Sequence, residues 1–130
     1  MRHLKLIILS VFLMLSVLAG HTAEKTGAYI AAAVDGPSGS ALLSGVAARA
    51  PYYIFYDKTG KALETIQNPF RSQQAAGPRL TEFLVSKGVR IFVAQSFGSG
   101  RMPALMTSRG VLLKEFNGTA DDAVKQLIKK

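Results

Sequence analysis

The sequence has no cysteine and only two histidines, His3 and His21, among its 130 residues. Both histidines lie in or near the apolar N-terminal segment, so the rest of the chain offers neither a thiol nor an imidazole. A Ser-His-Asp or Cys-His catalytic site therefore cannot be assembled. Thiolate-ligated zinc or iron–sulfur sites, disulfides and a lipid-modified terminal cysteine are excluded as well. We therefore expect a protein that is not an enzyme.

Acidic residues are also scarce, with 8 Asp and Glu against 16 Lys and Arg, which gives a formal net charge of +8. The basic residues are scattered rather than clustered. This distribution suits solubility or attraction to anionic ligands and envelope surfaces better than a nucleic-acid stripe. We therefore expect a basic protein that does not bind nucleic acid.

The N-terminal segment has the three parts of a secretory signal peptide. Arg2 and Lys5 lie in a basic start, Leu6–Leu18 form an apolar run of 13 residues, and Ala19 and Ala23 are possible cleavage positions. The run is shorter than the roughly 20 residues that a membrane-spanning helix needs. An uncleaved membrane anchor is the alternative. The signal peptide predicts a periplasmic or secreted protein, which contacts the membrane only transiently, during export.

The chain is therefore divided into a signal peptide with its cleavage region at 1–23, a leader at 24–27 and one domain at 28–130. Within the domain, hydrophobic periodicity and turn residues predict strands and helices in an order typical of α/β proteins. We expect a three-layer α/β fold with a mixed, mostly parallel five-stranded sheet. The strands are predicted at 29–34, 52–56, 62–67, 89–94 and 111–116, and the helices at 78–87, 103–110 and from Thr119 onwards. Gly88 is expected to end the first helix and Thr119 to cap the start of the last one, and Asn68-Pro69 ends the third strand. In the second strand, Tyr52, Ile54 and Tyr56 share one face, and Tyr53 and Phe55 share the other.

Two Gly/Ser-rich loops, Asp35–Ser44 and Gln95–Met102, follow the first and fourth predicted strands. In open α/β sheets, ligands bind where loops leave the carboxyl ends of neighbouring strands. Glycine lets backbone N–H groups approach a ligand closely, and arginine adds charge-assisted hydrogen bonds. Solvated turns with surface arginines are the alternative reading. The candidate ligand-binding residues are Ser38, Gly39, Ser40, Arg49, Ser96, Gly98, Ser99, Gly100 and Arg101.

Met102 and Met106 lie four residues apart and so share one face of the predicted short helix. Two thioether sulfurs on one face are candidate ligands for a soft metal such as Cu(I). Core packing is the alternative, because methionine commonly fills apolar gaps.

Several short motifs follow one another through the domain at characteristic spacings. They are Ser44, Arg49 with the run 50–57, Ile66–Pro69, Ala76-Gly77, Lys87–Val89, Gly98–Gly100, Ala104-Leu105 and Gly110-Val111. In the order of these motifs, the chain resembles the dinitrogenase iron-molybdenum cofactor biosynthesis domain over residues 28–130. The resemblance implies an RNase H-like fold and a non-catalytic module that carries a metal cluster or its precursor. The expected cofactor is a molybdenum- or iron-containing cluster or an oxyanion.

Two departures from the family pattern bear on function. Many members read Ser-x-His-Phe-Gly-Arg-Ala-Pro before the second strand, whereas Val46 stands here in place of the histidine, followed by Ala47 and Ala48. Cofactor assembly for nitrogenase is also cytoplasmic, whereas the signal peptide predicts export. We therefore expect an exported binding protein whose partner is a small inorganic or anionic ligand. The alternative is a ligand-free scaffold that interacts with an envelope protein.

Overall fold

Five strands in one sheet and three α-helices make up the computed structural model, which describes residues 27–129. The predicted signal peptide and residues 24–26 of the leader lie outside the described residues. Within residues 27–129, no helix has the length and apolar character needed to cross a bilayer. The strands are β1 (Ile30–Val34), β2 (Tyr52–Tyr56), β3 (Ala62–Gln67), β4 (Ile91–Ala94) and β5 (Leu112–Glu115). The helices are α1 (Ala76–Lys87), α2 (Met102–Ser108) and α3 (Ala120–Ile128), and a short 3₁₀ helix covers Ala47–Arg49.

The sheet has the strand order β3-β2-β1-β4-β5. β1 pairs with β4 in parallel and β4 with β5 in parallel, whereas β2 is antiparallel to both β1 and β3. Four of the five strands therefore point the same way. This arrangement confirms the mixed α/β sheet in a single domain, while the RNase H-like assignment stays a prediction.

The central strand β1 consists largely of alanine, and all five of its residues are buried. Ala33 pairs with Tyr53 and Ala31 with Phe55, so a small residue lies beside each large ring. The same face carries Phe92, whose ring centroid lies 5.9 Å from that of Tyr53. These residues form one core cluster with α1 and α2. Small residues in the middle strand thus leave the volume that the neighbouring aromatic rings fill.

The opposite face of the sheet packs against α3. Ile54 and Tyr56 of β2 belong to this second core cluster, as the period-two alternation of a strand requires, together with Ala123 and Val124 of α3. The side-chain oxygen of Thr119 accepts a hydrogen bond from the amide of Asp122, which confirms the predicted N-cap of α3. The sheet is therefore the middle of three layers.

The predicted and observed bounds differ by one or two residues at the ends of several helices and strands. β2 and β3 have the predicted bounds, whereas β1, β4 and β5 are one to two residues shorter at one or both ends. Helix α1 begins at Ala76 rather than Pro78, because proline is tolerated within the first turn, where its missing N–H is not needed. Gly88 caps α1 with φ of 93°, as predicted.

Candidate functional site

The loops that follow β1 and β4 meet at the carboxyl ends of these two neighbouring parallel strands. The amide of Gln95 donates to the carbonyl oxygen of Ser44 at 2.9 Å, and the amide of Ala47 donates to that of Ser96 at 3.3 Å. The two loops are thus joined along their length by backbone hydrogen bonds. This is the position in an open α/β sheet where ligand sites usually form.

A cavity of about 440 Å³ opens beside this junction. Its volume lies within the range of roughly 300–1,000 Å³ that is typical of small-ligand sites. Three segments form its walls: the loop with the 3₁₀ helix, the start of α1, and the loop that leads into α2. The lining residues are Gly45, Val46, Ala47, Ala48, Arg49, Ala75, Ala76, Gly77, Pro78, Phe97, Gly98, Gly100, Arg101 and Met102.

A buried asparagine, Asn68, holds one wall of the cavity in place. This wall consists of residues 45–49, which include the short 3₁₀ helix, and is called the 3₁₀ wall below. The side-chain nitrogen of Asn68 lies 3.0 Å from the carbonyl oxygen of Ala48 and 2.9 Å from that of Ala50. It also lies 3.0 Å from the hydroxyl oxygen of Tyr53, and this hydroxyl donates to the carbonyl oxygen of Ala47 at 2.7 Å. Two side chains from the β2–β3 region therefore hold three carbonyl oxygens in and directly after this wall, those of Ala47, Ala48 and Ala50. Burial raises the pKa of the Tyr53 phenol well above its ordinary value, so Tyr53 stays a neutral donor.

Asn68 also connects this wall to the segment that enters α1. Its side-chain oxygen accepts a hydrogen bond from the amide of Phe70 at 2.8 Å. Farther along, Arg49 and Arg71 donate a side-chain hydrogen bond to each other's carbonyl oxygen. The 3₁₀ wall and the approach to α1 are consequently held as one unit.

The beginnings of α1 and α2 face each other across the cavity at close range. A Cβ atom on Gly77 would lie 3.1 Å from Cβ of Met102, so only glycine allows this approach without displacement. Neither helix start has a capping side chain or an acidic residue in its first turn. The N-terminal ends of both helices, where the helix dipole is positive, therefore lie in the cavity wall without a carboxylate to offset them.

Ala75, just before α1, has φ of 58° and is the one non-glycine residue with positive φ among residues 27–129. A left-handed alanine costs about 1–2 kcal/mol. Strain of this kind clusters at ligand sites because the surrounding structure has to maintain it. Ala75 also lines the cavity, so the strained backbone and the candidate site coincide.

Two basic residues, Arg49 and Arg101, line the cavity, and no carboxylate does. Within residues 27–129 the ion pairs are Lys87 with Glu64 and Arg109 with Glu82, so neither lining arginine is neutralised there. The remaining lining side chains are small or apolar. The site is therefore suited to an anion and has no group that would act as a general base.

The structure brings together Arg49, Gly98, Gly100 and Arg101 of the predicted binding residues. Ser99 is exposed on the same loop without lining the cavity. Ser96 lies at the junction, where its hydroxyl oxygen accepts a hydrogen bond from the amide of Gly98 at 3.2 Å.

The predicted residues Ser38, Gly39 and Ser40 do not lie in the cavity wall. The carbonyl oxygen of Gly39 accepts from the amide of Asp121 at 2.9 Å, and a Cβ atom on Gly39 would lie 2.0 Å from the Asp121 carboxylate. The hydroxyls of the two serines lie 2.9 Å apart. This glycine therefore allows the loop to pack against the start of α3, on the other side of the sheet.

Both methionines that we considered as metal ligands belong to the apolar core. Met106 is completely buried, and Met102 is 9% exposed where it lines the cavity. Within the part of the chain that the structure describes, no three His, Cys, Asp or Glu side chains form a group able to hold a metal ion.

Sequence reasoning overlooked the apolar half of the wall and the residue that positions it. The segment 45–48 was considered for its missing histidine, and Val46 in fact lines the cavity with 59% of its surface exposed. For Asn68 the sequence predicts only that a strand ends there. Its partners lie 15 to 20 residues away in sequence, so no local pattern could have identified its role.

Comparisons with known proteins show the family and agree with the fold. The family model described as "Dinitrogenase iron-molybdenum cofactor" matches residues 28–130. A solution structure of a Thermotoga protein assigned as NifB is 31% identical, with a TM-score of 0.63, and the match covers 77% of this chain and 86% of that chain. The apo form of the orange protein from Desulfovibrio gigas shares the fold, with a TM-score of 0.69 at 18% identity over 80% of this chain and 89% of that one. No curated protein matches the sequence.

Proposed function

The chain belongs to the dinitrogenase iron-molybdenum cofactor family, and from this membership and the cationic cavity we propose that it is a non-enzymatic carrier. Its cargo is an anionic metal-containing group or an oxyanion, bound between the 3₁₀ wall and the starts of α1 and α2. The observation that carries the proposal is the pair Arg49 and Arg101 in a cavity without a carboxylate. The absence of a general base in the wall supports binding rather than catalysis.

The family description supports the same role, because it refers to the iron-molybdenum cofactor. The cavity lies at the carboxyl ends of β1 and β4, where this class of fold offers a binding site.

Elemental analysis tests the proposal directly. The protein is expressed with its N-terminal segment, purified from the cell envelope without chelators, and analysed for molybdenum, iron and other metals. We expect a stoichiometric metal in the wild type and its loss in Arg101→Gln. Arg79→Gln, which removes an exposed arginine outside the cavity wall, is the matched control and should retain the metal. A wild-type protein without metal, which also takes up no molybdate in titration, would contradict the proposal.

We also propose that residues 1–23 direct export, so the carrier works in the periplasm or outside the cell. Support comes from the basic start, the 13-residue apolar run and the small residues that follow it. Intact-mass measurement of protein recovered from the periplasm should show a cleaved N-terminus near residue 19 or 23. Full-length protein in the membrane fraction would instead indicate the uncleaved anchor.

A protein-interaction scaffold is the second candidate, because Val46 and Leu42 are exposed large hydrophobic residues, 59% and 60% exposed, in the β1–β2 connection. Affinity purification from envelope extracts distinguishes the two functions. If Val46→Asp loses a reproducible partner while Arg101→Gln retains it, and no small ligand is found, the scaffold is supported and the carrier is not.

A further inference from the structure

An iron-molybdenum group is ordinarily anchored to protein through bonds from metal to cysteine or histidine. Residues 27–129 contain neither residue type, and no carboxylate lines the cavity. Of the described side chains in the wall, only Met102 supplies a sulfur atom, and 91% of this residue is buried against neighbours that include Gly77. The wall therefore does not fit a cluster that needs a protein ligand to complete its coordination.

We infer that the cavity holds its cargo as a complete anion, through charge and hydrogen bonds alone, with no bond between a metal and the protein. This inference rests on the proposed carrier function and specifies the chemical class of the cargo. The cargo is a metal-oxo or metal-sulfido anion, or another oxyanion, whose coordination is finished before it enters the cavity.

The described residues supply the groups that such binding needs. Arg49 and Arg101 both line the cavity, and each carries a planar, permanently charged set of N–H donors, which suits oxygen or sulfur atoms at the surface of an anion. Guanidinium groups are also more weakly hydrated than ammonium groups, so less hydration is lost when they contact an anion. Arg49 is held in place through its hydrogen bond to the carbonyl oxygen of Arg71. Arg101 immediately precedes α2 at the mouth of the cavity.

This mode of binding has consequences that a metal–protein bond would not have. The affinity should fall as ionic strength rises, because exposed charge pairs are screened. Metal cations should not bind at the cavity, since its charge repels them. The coordination shell of the metal should be the same in the bound and the free anion, so the cargo can be released without breaking a bond.

The first experiment is calorimetric titration of the exported protein with molybdate and tungstate at low and high salt. We expect binding at low salt that weakens as salt is raised. Arg101→Gln should weaken it by about tenfold or more, as the loss of one charge-assisted hydrogen bond predicts. Met102→Leu keeps the volume of the side chain and removes its sulfur, so it should bind as wild type does. Arg79→Gln, outside the cavity wall, is the charge control.

The second experiment is X-ray absorption at the molybdenum edge, together with titration of Fe²⁺ and Zn²⁺. We expect an unchanged molybdenum shell on binding and no cation uptake by residues 27–129, measured on a variant that lacks residues 1–23. Val46→His places an imidazole in the wall and serves as a positive control for a metal–nitrogen bond.

The outcomes separate the inference from the function on which it rests. New protein ligands at molybdenum, cation uptake, or loss of binding in Met102→Leu would overturn the inference and leave the carrier function intact. Absence of binding for every anion and cation, together with metal-free protein from the envelope, would overturn both. Salt-sensitive anion binding that depends on Arg101 and not on Met102 supports both.

Discussion

Asn68→Ala should both destabilise the fold and loosen the cavity wall. The residue is 9% exposed, and its side chain makes three backbone contacts, with the carbonyl oxygens of Ala48 and Ala50 and the amide of Phe70. At about 1 kcal/mol net for each neutral hydrogen bond, the loss is about 3 kcal/mol. It rises further if either carbonyl oxygen stays buried without a donor. This is a large part of the 5–15 kcal/mol that stabilises a typical domain.

Urea unfolding measures this loss through the midpoint, with the slope as a check that the denatured state has not changed. Asn117→Ala is the matched control, because Asn117 is exposed and its replacement should stay within about 0.5 kcal/mol of wild type. A loss below about 1 kcal/mol for Asn68→Ala would refute the reasoning, since the buried amide would then be replaceable by water.

A second measurement tests whether Asn68 acts on the wall in particular. The side chains of Asn68 and Tyr53 lie 3.0 Å apart, and both contact the segment 47–50. The double variant with Tyr53→Phe should therefore show a coupling energy of at least about 0.5 kcal/mol. Amide hydrogen exchange should accelerate in residues 45–50 before it does in β3. Additive single effects with uniform acceleration would show that the two side chains do not act as one network.

Two further predictions concern packing and pH. Gly77→Val should destabilise the fold by about 1–3 kcal/mol in the same urea assay, because the new Cβ atom would lie 3.1 Å from Cβ of Met102. Gly100→Val is the control and should be near neutral, because a Cβ atom at this position would have no neighbour within 4 Å. Burial, with a contribution from a carboxylate for Tyr56, raises the pKa of the Tyr53 and Tyr56 phenols above their ordinary value of 10.0. The unfolded chain then loses these protons first, so the stability that the two phenols contribute should be constant below about pH 9 and fall as pH rises through 10. Tyr56→Phe should reduce that fall in urea titrations across this range, and an equal fall in the variant would contradict it.

Local sequence patterns were enough to predict those features of strands and helices that depend only on residues close together in the sequence. Tyr52–Tyr56 has one face in each core cluster, as its period-two pattern predicted, and Gly88 ends α1 in the left-handed conformation that only glycine adopts easily. Those features depend on neighbours in sequence. The predicted start of α1 was two residues too late, because proline is tolerated at any position in the first turn of a helix.

The site was predicted only in part, because its geometry depends on contacts between distant segments. The predicted loop after β4 does line the cavity, since it follows a buried strand directly. The predicted residues 38–40 do not line it, because composition alone favours this Gly/Ser-rich part of the β1–β2 connection over the apolar part at 45–48. A hydrogen bond from the amide of Gln95 to the carbonyl oxygen of Ser44 joins the second half of this connection to the end of β4. No local sequence pattern reveals this contact.

The two halves of this connection serve different layers of the molecule. The first half is joined to the start of α3 by two backbone hydrogen bonds. The amide of Ala120 donates to the carbonyl oxygen of Ala41 at 3.1 Å, and the amide of Leu43 donates to the carbonyl oxygen of Gly118 at 2.9 Å. The second half forms the cavity wall with α1 and α2. One chain segment therefore ties the layer beneath the sheet to the site above it. Ser44 lies between the two halves, is 3% exposed and is hydrogen-bonded to Gln95 through its backbone. An anion bound as we propose would therefore contact a wall anchored in the core rather than a solvated turn. A wall fixed in this way loses little conformational entropy on binding, which suits a carrier that must hold an anion without a covalent bond.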